Sequence, residues 1–424
     1  MSTTRLPDVS LDLSFDIDQT TIRRIAKEVR PSLALIPNRT GMSDEELRTA
    51  ALSLVSSSMT KSYSNMNGRT EVIQAAVVDE LLGFGPIHDL LLNPTISEIM
   101  VNGSQNLFVE SNGVLRKTTR TFESDEQILL VIDRMLRTSG RRVDQSSPMV
   151  DARLPDGSRL NVILPPLSID GPSVTIRKFL SGNLTTDDLI RQGSLSEAAA
   201  EFLEQAVANK MNILVSGGTG TGKTTILNIL SSFIGRSERV VTIEDAVELT
   251  LHMPNLVRLE SRPANSEGIG EVDIRDLVRN SLRMRPDRIV VGEVRGSETI
   301  DMLQAMNTGH EGSLSTVHAN SPRDALRRLE TMVLLSGAEL PLRAIREQVS
   351  SSIDLVVHLA RDANGRRYVD AITEVVGMEG DLISTADLFE RDKRSGGSDV
   401  LLHPLINTGI PSQRINLRVA RSTH

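Results

Sequence analysis

Eight consecutive residues in this chain have the types and spacing to bind phosphate. Gly217-Gly218-Thr219-Gly220-Thr221-Gly222-Lys223-Thr224 fits the pattern G-x-x-x-x-G-K-[ST]. It follows the apolar run Asn212-Ile213-Leu214-Val215 and opens a helical stretch, as a strand–loop–helix phosphate cradle requires. Glycines let the backbone wrap closely enough for its N–H groups to face an anion, and the helix N-terminus adds partial positive charge. In such a cradle Lys223 reaches the β- and γ-phosphates and Thr224 ligates Mg²⁺, with Thr225 next in the same helix. The expected ligands are therefore ATP and Mg²⁺.

A cradle alone hydrolyses nothing, so carboxylates are needed nearby. Arg288-Ile289-Val290-Val291-Gly292-Glu293 is an apolar strand ending in an acid. If that strand neighbours the cradle strand, Glu293 can hold a metal-bound water or polarise the attacking one. A second apolar strand, Val240 to Ile243, is followed by Glu244-Asp245 and Glu248, which are further candidates. His310 and His318 bracket a short strand, and a histidine there can sense the γ-phosphate through a switchable hydrogen bond. Arg275, Arg279 and Arg283 fall four apart on one helix face, which is either a solvated face or a subunit contact.

The elements that must position these residues alternate between strand and helix from Ile213 onward, which predicts a parallel sheet with flanking helices. The runs are 213–216, 223–234, 240–244, 274–283, 289–291, 298–308, 313–318 and 322–335, after a helix at 196–209. Before them, short strands at 96–101, 107–110, 114–121, 149–154, 160–164 and 174–179 surround a helix at 124–137 and make an α+β domain. Asn102-Gly103, Asn112-Gly113 and Asp156-Gly157 supply its turns. The lead-in is helical: 19–30 stopped by Pro31, a run from the Ser43/Glu46 capping box to about 59, and 70–82. The Ser124/Gln127 pair is a second capping box. The expected layout is a flexible tail at 1–18, a helical lead-in at 19–94 and an α+β domain at 95–180. A linker at 181–194, an ATPase domain at 195–384 and an extension at 385–424 complete it.

Composition narrows the function classes. With no cysteine, the chain has no disulfide, iron–sulfur cluster, cysteine nucleophile or cysteine zinc site. A net charge of −8 and 2% aromatics argue against direct nucleic-acid binding, which draws on basic surface and stacking rings. No run of about 18 apolar residues spans a bilayer, and the acidic N-terminus does not fit a signal peptide. A soluble, cytoplasmic protein that meets a membrane only through partners is expected.

Taken together, these motifs resemble the secretion-superfamily traffic ATPases, and in pattern the CpaF/TadA branch that powers tight-adherence (Flp-type) pilus assembly. The likeness runs over roughly residues 70–380. Gly217–Thr224 matches the family's Walker A box, Thr242-Ile243-Glu244-Asp245 with Glu248 its acidic box, and Ile289–Glu293 with Val294-Arg295-Gly296 its Walker B box. Thr308-Gly309-His310-Glu311-Gly312 through Ser315-Thr316-Val317-His318-Ala319-Asn320 matches its histidine box. The resemblance implies a RecA-like P-loop C-terminal domain, a smaller α+β N-terminal domain and a homo-oligomeric ring, a hexamer, beneath an inner-membrane platform. It implies catalytic roles for Lys223, Glu248, Glu293 and His318, with Thr224, Glu248 and Glu293 at the metal. Nucleotide contacts from His310 and from Arg153, Arg159 or Arg177 are implied too, the arginines acting within a subunit or on its neighbour. The lack of cysteine departs from the four-cysteine zinc module of many type II secretion and type IV pilus motors. A conjugation-type or type II-like secretion ATPase is the alternative, and a RecA-like nucleic-acid motor the more distant one.

Overall fold

Three helices open the chain, and each buries one stripe against the other two: α1 (Gln19–Ala34), α2 (Asp44–Ser62) and α3 (Thr70–Leu82). The computed structural model describes residues 19–36, 41–62, 70–111, 113–179, 184–262, 264, 269–362, 364–391 and 405–415. The expected tail at 1–18 and Asn112 lie outside them. Ile25, Val29 and Leu33 pack with Ala51, Val55, Met59, Ile73, Val77 and Leu81 in a small core of their own. Pro31 does not stop α1, which continues to Ala34. Proline removes one N–H and crowds the carbonyl four residues back; burial of Val29 and Leu33 on either side offsets that loss. The Ser43/Glu46 capping box forms, with Ser43 N donating to Glu46 Oε2 at 2.8 Å and Glu46 N donating to Ser43 Oγ at 3.3 Å.

The first unit, residues 1–180, continues through α4 (His88–Leu92) into a six-stranded antiparallel sheet. Its strands are β1 (Ile96–Asn102), β2 (Asn106–Ser111), β3 (Val114–Lys117), β4 (Met149–Arg153), β5 (Arg159–Ile163) and β6 (Ser173–Arg177), in the order β3-β2-β1-β6-β5-β4. Helix α5 (Asp125–Leu136) covers one face through Ile128, Val131, Ile132 and Met135. The Ser124/Gln127 capping box is not made. Ser124 makes no side-chain cap bond, and Gln127 instead accepts from Glu123 N at 2.7 Å. The lead-in and the sheet belong to one unit rather than two, because α3 runs directly into the segment that packs beneath the sheet.

The second unit, residues 181–424, carries a nine-stranded sheet with a helical layer on each face. Its elements are α6 (Thr186–Arg191), α7 (Glu197–Ala208), β7 (Ile213–Gly217), α8 (Lys223–Ser232), β8 (Val240–Glu244), β9 (Leu256–Glu260), α9 (Ile274–Ser281) and β10 (Arg288–Val294). Then follow α10 (Glu298–Asn307), β11 (Leu314–His318), α11 (Pro322–Leu335), α12 (Leu342–Ser352), β12 (Leu355–Arg361), β13 (Arg367–Glu379), β14 (Leu382–Arg391) and β15 (Leu405–Asn407). Strand order is β15-β14-β13-β12-β7-β11-β10-β8-β9. The six strands from β12 to β9 pair in parallel, as the alternation predicts, while β13, β14 and β15 add an antiparallel edge. A parallel strand covered on both faces is apolar throughout. In β7, Ile213 and Val215 enter one core, and Leu214 enters the other.

Two expected boundaries shift. From residue 184 the segment expected to link the domains is part of the second unit. Thr185 and Asp188 form a capping box on α6, and Ser194 Oγ donates to the Arg367 carbonyl at 2.7 Å. Beyond 384, β14 and β15 extend the nine-stranded sheet, and Arg414 bonds the Ser350 and Val375 carbonyls and pairs with buried Asp354 at 3.3 Å. Both segments are polar in sequence because they cap, tie and edge a core rather than form it. The remainder of the expected extension, 392–404 and 416–424, lies outside the described residues.

Candidate active site

The chemistry-bearing residues of the second unit, His310 excepted, gather at the C-terminal edge of its parallel strands. The crevice outside that edge is where open α/β sheets bind ligands. Strand β7 ends at Gly217, and the loop turns through Gly220 (φ +70°) and Gly222 (φ +93°) into α8. A side chain at Gly217 has no room, since its Cβ would lie 2.6 Å from Thr221 Oγ1 and 2.8 Å from the Leu359 carbonyl. Thr219 is exposed at the loop tip and Thr225 is half-buried in α8. Thr221 Oγ1 donates to the Gly218 carbonyl at 2.9 Å. Lys223 Nζ donates to the carbonyls of Gly217 and Gly218 at 3.2 and 3.0 Å, so the ammonium lies folded over the loop.

The acidic residues sort themselves by partner. Thr224 Oγ1 donates to Glu248 Oε2 at 3.2 Å, bringing together two of the expected metal ligands. Glu244 turns inward, is 3% exposed, and uses Oε2 to accept from the N–H groups of Glu248 (2.8 Å) and Leu249 (3.0 Å). Glu244 thus shapes the loop that presents Glu248. Its Oε1 is buried without a hydrogen-bond partner. Burial pushes the Glu244 carboxyl above its ordinary range, against two backbone N–H bonds that lower it.

A stability consequence follows for Glu244. A carboxyl that is easier to protonate when folded contributes stability fully present below its unfolded value near 4.5 and lost as pH rises through the folded one. Glu244→Gln, which mimics the neutral form, is therefore expected to melt higher than wild type at pH 7.5. The gap should close as pH falls toward 4.5. Thermal melts across that range check it, and a gap widening toward acid pH would overturn the sign.

Glu293, at the end of β10, accepts from Arg295 Nη2 at 2.6 Å, and Arg295 Nη1 reaches Asp245 Oδ2 at 3.3 Å. The strand of Glu293 is not the immediate neighbour of the cradle strand, because β11 lies between β7 and β10. That insertion sets His318 in register with Gly217, and Val317 in register with Val294. His318 thus stands at the strand edge between cradle and acid. His310 is not brought there within the chain. It precedes β11, at the opposite end of the strands, where its Nδ1 is buried without a hydrogen-bond partner. The strand β11, roughly 13 Å from its first Cα to its last, lies between His310 and the cradle end of the sheet. The arginine face on α9 resolves as structural: Arg275 and Arg279 both pair with Asp301 of α10, at 2.7 and 2.8 Å, and Arg283 lies beyond the helix end.

In the first unit Arg153, Arg159 and Arg177 form a row. Arg153 pairs with Arg159 across β4 and β5, and Arg159 with Arg177 across β5 and β6. Glu98 of β1 extends the row opposite Arg177. These registers put the three arginines on one face of the sheet, with Arg153 Nε donating to the Gly157 carbonyl at 3.3 Å. No spacing in the sequence shows this alignment, because it depends on two strand registers. Sequence reasoning also missed Arg361 and Arg367, whose side chains border the phosphate loop at Gly220 and Gly222.

The donor set fits Mg²⁺, a hard cation held by one or two carboxylates and by substrate phosphates. Thr224, Glu248 and Glu293 offer oxygens only. Among the described residues no group of three or more His, Asp or Glu is placed to hold a metal by itself. No described helix is long and apolar enough to cross a membrane.

Residues 80–384 match the family described as type II/IV secretion system protein. The chain belongs to that family. A putative conjugal transfer protein of Mycobacterium tuberculosis is 36% identical to this secretion-family chain over 351 residues, covering 81% of it and 99% of the relative. The conjugal transfer protein TrbB of Rhizobium radiobacter is 34% identical over 292 residues, covering 68% and 84%. Among solved structures, the VirB11 ATPase of Brucella suis in complex with sulphate is 30% identical and covers 68% of this chain and 94% of its own, with a TM-score of 0.38. The names of these relatives are those of conjugal transfer and type IV secretion proteins.

Proposed function

We propose that this member of the family is a Mg²⁺-dependent ATPase that works as a homo-oligomeric ring, a hexamer, and drives macromolecular export through an inner-membrane platform. The observation that carries the reading is the cradle itself. Gly217, Gly220 and Gly222 leave no obstruction at the loop, Lys223 lies over it, and Thr224 is already joined to Glu248. ATP would sit with its β- and γ-phosphates at Lys223. When bound, Mg²⁺ supplies charge neutralisation at those phosphates, and Thr224, Glu248 and Glu293 are the residues that would hold it. Glu293 would orient the attacking water, which requires the Arg295 guanidinium to release or share its carboxylate. His318, in register with Gly217, would respond to the terminal phosphate. The Arg153–Arg159–Arg177 row of the first unit would take an anion.

Two cargoes remain in competition. The helical lead-in and box pattern support tight-adherence pilus assembly, whereas similarity to the M. tuberculosis and TrbB conjugal transfer proteins supports a conjugation-type machine. The purified full chain is expected to hydrolyse ATP with Mg²⁺ and to stop when EDTA removes the metal. EDTA-resistant turnover would remove the metal from the reading. In the native host, replacing the gene with a Lys223→Ala copy separates the machines. Loss of surface pilin with plasmid transfer intact supports the pilus motor, and the reverse supports conjugation.

A further inference from the structure

The two flanks of β7 carry opposite charge. On the β11 side, across β10 and β8, stand Glu293, Glu244 and Glu248. On the other side stands the β12–β13 hairpin, in which Arg361 and Arg367 are directly opposite each other in an antiparallel pair. Leu359 of β12 is in register with Gly217, so Arg361, two residues on and on the same strand face, projects past the start of the phosphate loop. Arg361 Nη1 is 3.3 Å from where a Cβ on Gly220 would stand, and Arg367 Cδ is 3.6 Å from that of Gly222.

The hairpin is held in place. Asp362 N donates to the Arg366 carbonyl at 2.9 Å, while Asp362 Oδ1 accepts from the N–H groups of Asn364 and Arg366. Arg366 Nε donates to Asp362 Oδ2 at 2.9 Å, which occupies that guanidinium within the turn. The Arg367 carbonyl is fixed by Ser194. The Arg361 guanidinium and the Arg367 side-chain stem at the loop therefore sit on a braced scaffold rather than on a free tip.

We infer that Arg361 and Arg367 form the wall that holds the ribose and base of the nucleotide bound in the same chain. This rests on the ATPase reading above. With the reacting phosphate at Thr224, Glu248 and Glu293, the nucleoside end of the ligand leaves the loop on the flank away from those carboxylates, toward β12. A planar guanidinium can stack on a purine and hydrogen-bond a ribose, and lysine does neither as well. The ligand class is a nucleoside 5′-triphosphate or diphosphate, distinguished from inorganic polyphosphate by this hairpin.

The test uses the full chain with Arg361→Ala, Arg361→Lys, Arg367→Ala and the double alanine variant, each first shown to melt within about 2 °C of wild type without nucleotide. Affinities are measured for MgATP, MgADP and inorganic tripolyphosphate with Mg²⁺. The double variant is expected to bind ATP and ADP about tenfold or more weakly while tripolyphosphate changes less than about threefold. KM for ATP should rise with kcat kept within about threefold. Arg361→Lys should share much of the loss despite keeping its charge, and it keeps the test open if an alanine variant misfolds. Equal weakening of tripolyphosphate would make these residues phosphate cations and overturn the assignment. Unchanged ATP affinity would overturn it too. If wild type itself neither binds nor hydrolyses ATP, the ATPase reading fails, and that outcome is distinct from a failure confined to the hairpin.

Discussion

Lys223→Ala is expected to reduce ATP turnover by a factor of about 10²–10³, the scale on which single charge-stabilising groups act in such transition states. The ammonium neutralises charge that develops between the β- and γ-phosphates, and no other lysine lies in the loop. In the structure it also ties the carbonyls of Gly217 and Gly218. A melt without nucleotide is therefore measured alongside turnover, to separate loss of chemistry from loss of loop order. More than about a tenth of wild-type turnover in a folded Lys223→Ala protein would sink the nucleotide-site assignment.

Glu293→Gln should separate binding from chemistry. Shape is kept and the negative charge is lost, so ATP affinity is expected to stay within about threefold while turnover falls by about 10²–10³, as for removal of a general base. Equilibrium binding and steady-state turnover on the same preparation check it. Arg295 keeps Asp245 as a partner in the variant, so the cation is not stranded. Equal losses in affinity and turnover would make Glu293 a structural ligand and move the hydrolytic role to Glu248, which already meets Thr224.

These two variants probe residues that were plain in the sequence, and the reason is local. The loop Gly217–Thr224 depends on backbone freedom, a helix start and a lysine within eight consecutive positions. Such a pattern is complete before any tertiary contact forms. The same holds for the apolar strands that end in Glu244 and Glu293, and for the capping box at Ser43. Ser124 shows the limit of local logic: its partner Gln127 is captured by Glu123 N, and the cap is not made. Pro31 shows it again, since burial of the flanking apolar residues carries α1 through a residue that by itself predicts a stop.

What the sequence determined alone was the phosphate cradle, the strand–helix alternation around it and the pool of candidate acids. Which acid faces which partner was decided only by the tertiary structure. Glu248 went to Thr224, Asp245 to Arg295, and Glu244 into the core. Strand order was likewise invisible: β11 stands between β7 and β10, which brings His318 beside Gly217 and leaves His310 at the far end. Arg361 and Arg367 lie more than a hundred residues from the loop they border, and Arg153, Arg159 and Arg177 align only through two registers. Strand pairing joins residues by hydrogen-bond geometry rather than by separation along the chain. A local pattern can therefore announce a phosphate loop, but only the assembled sheet sets which charges lie on either side of it.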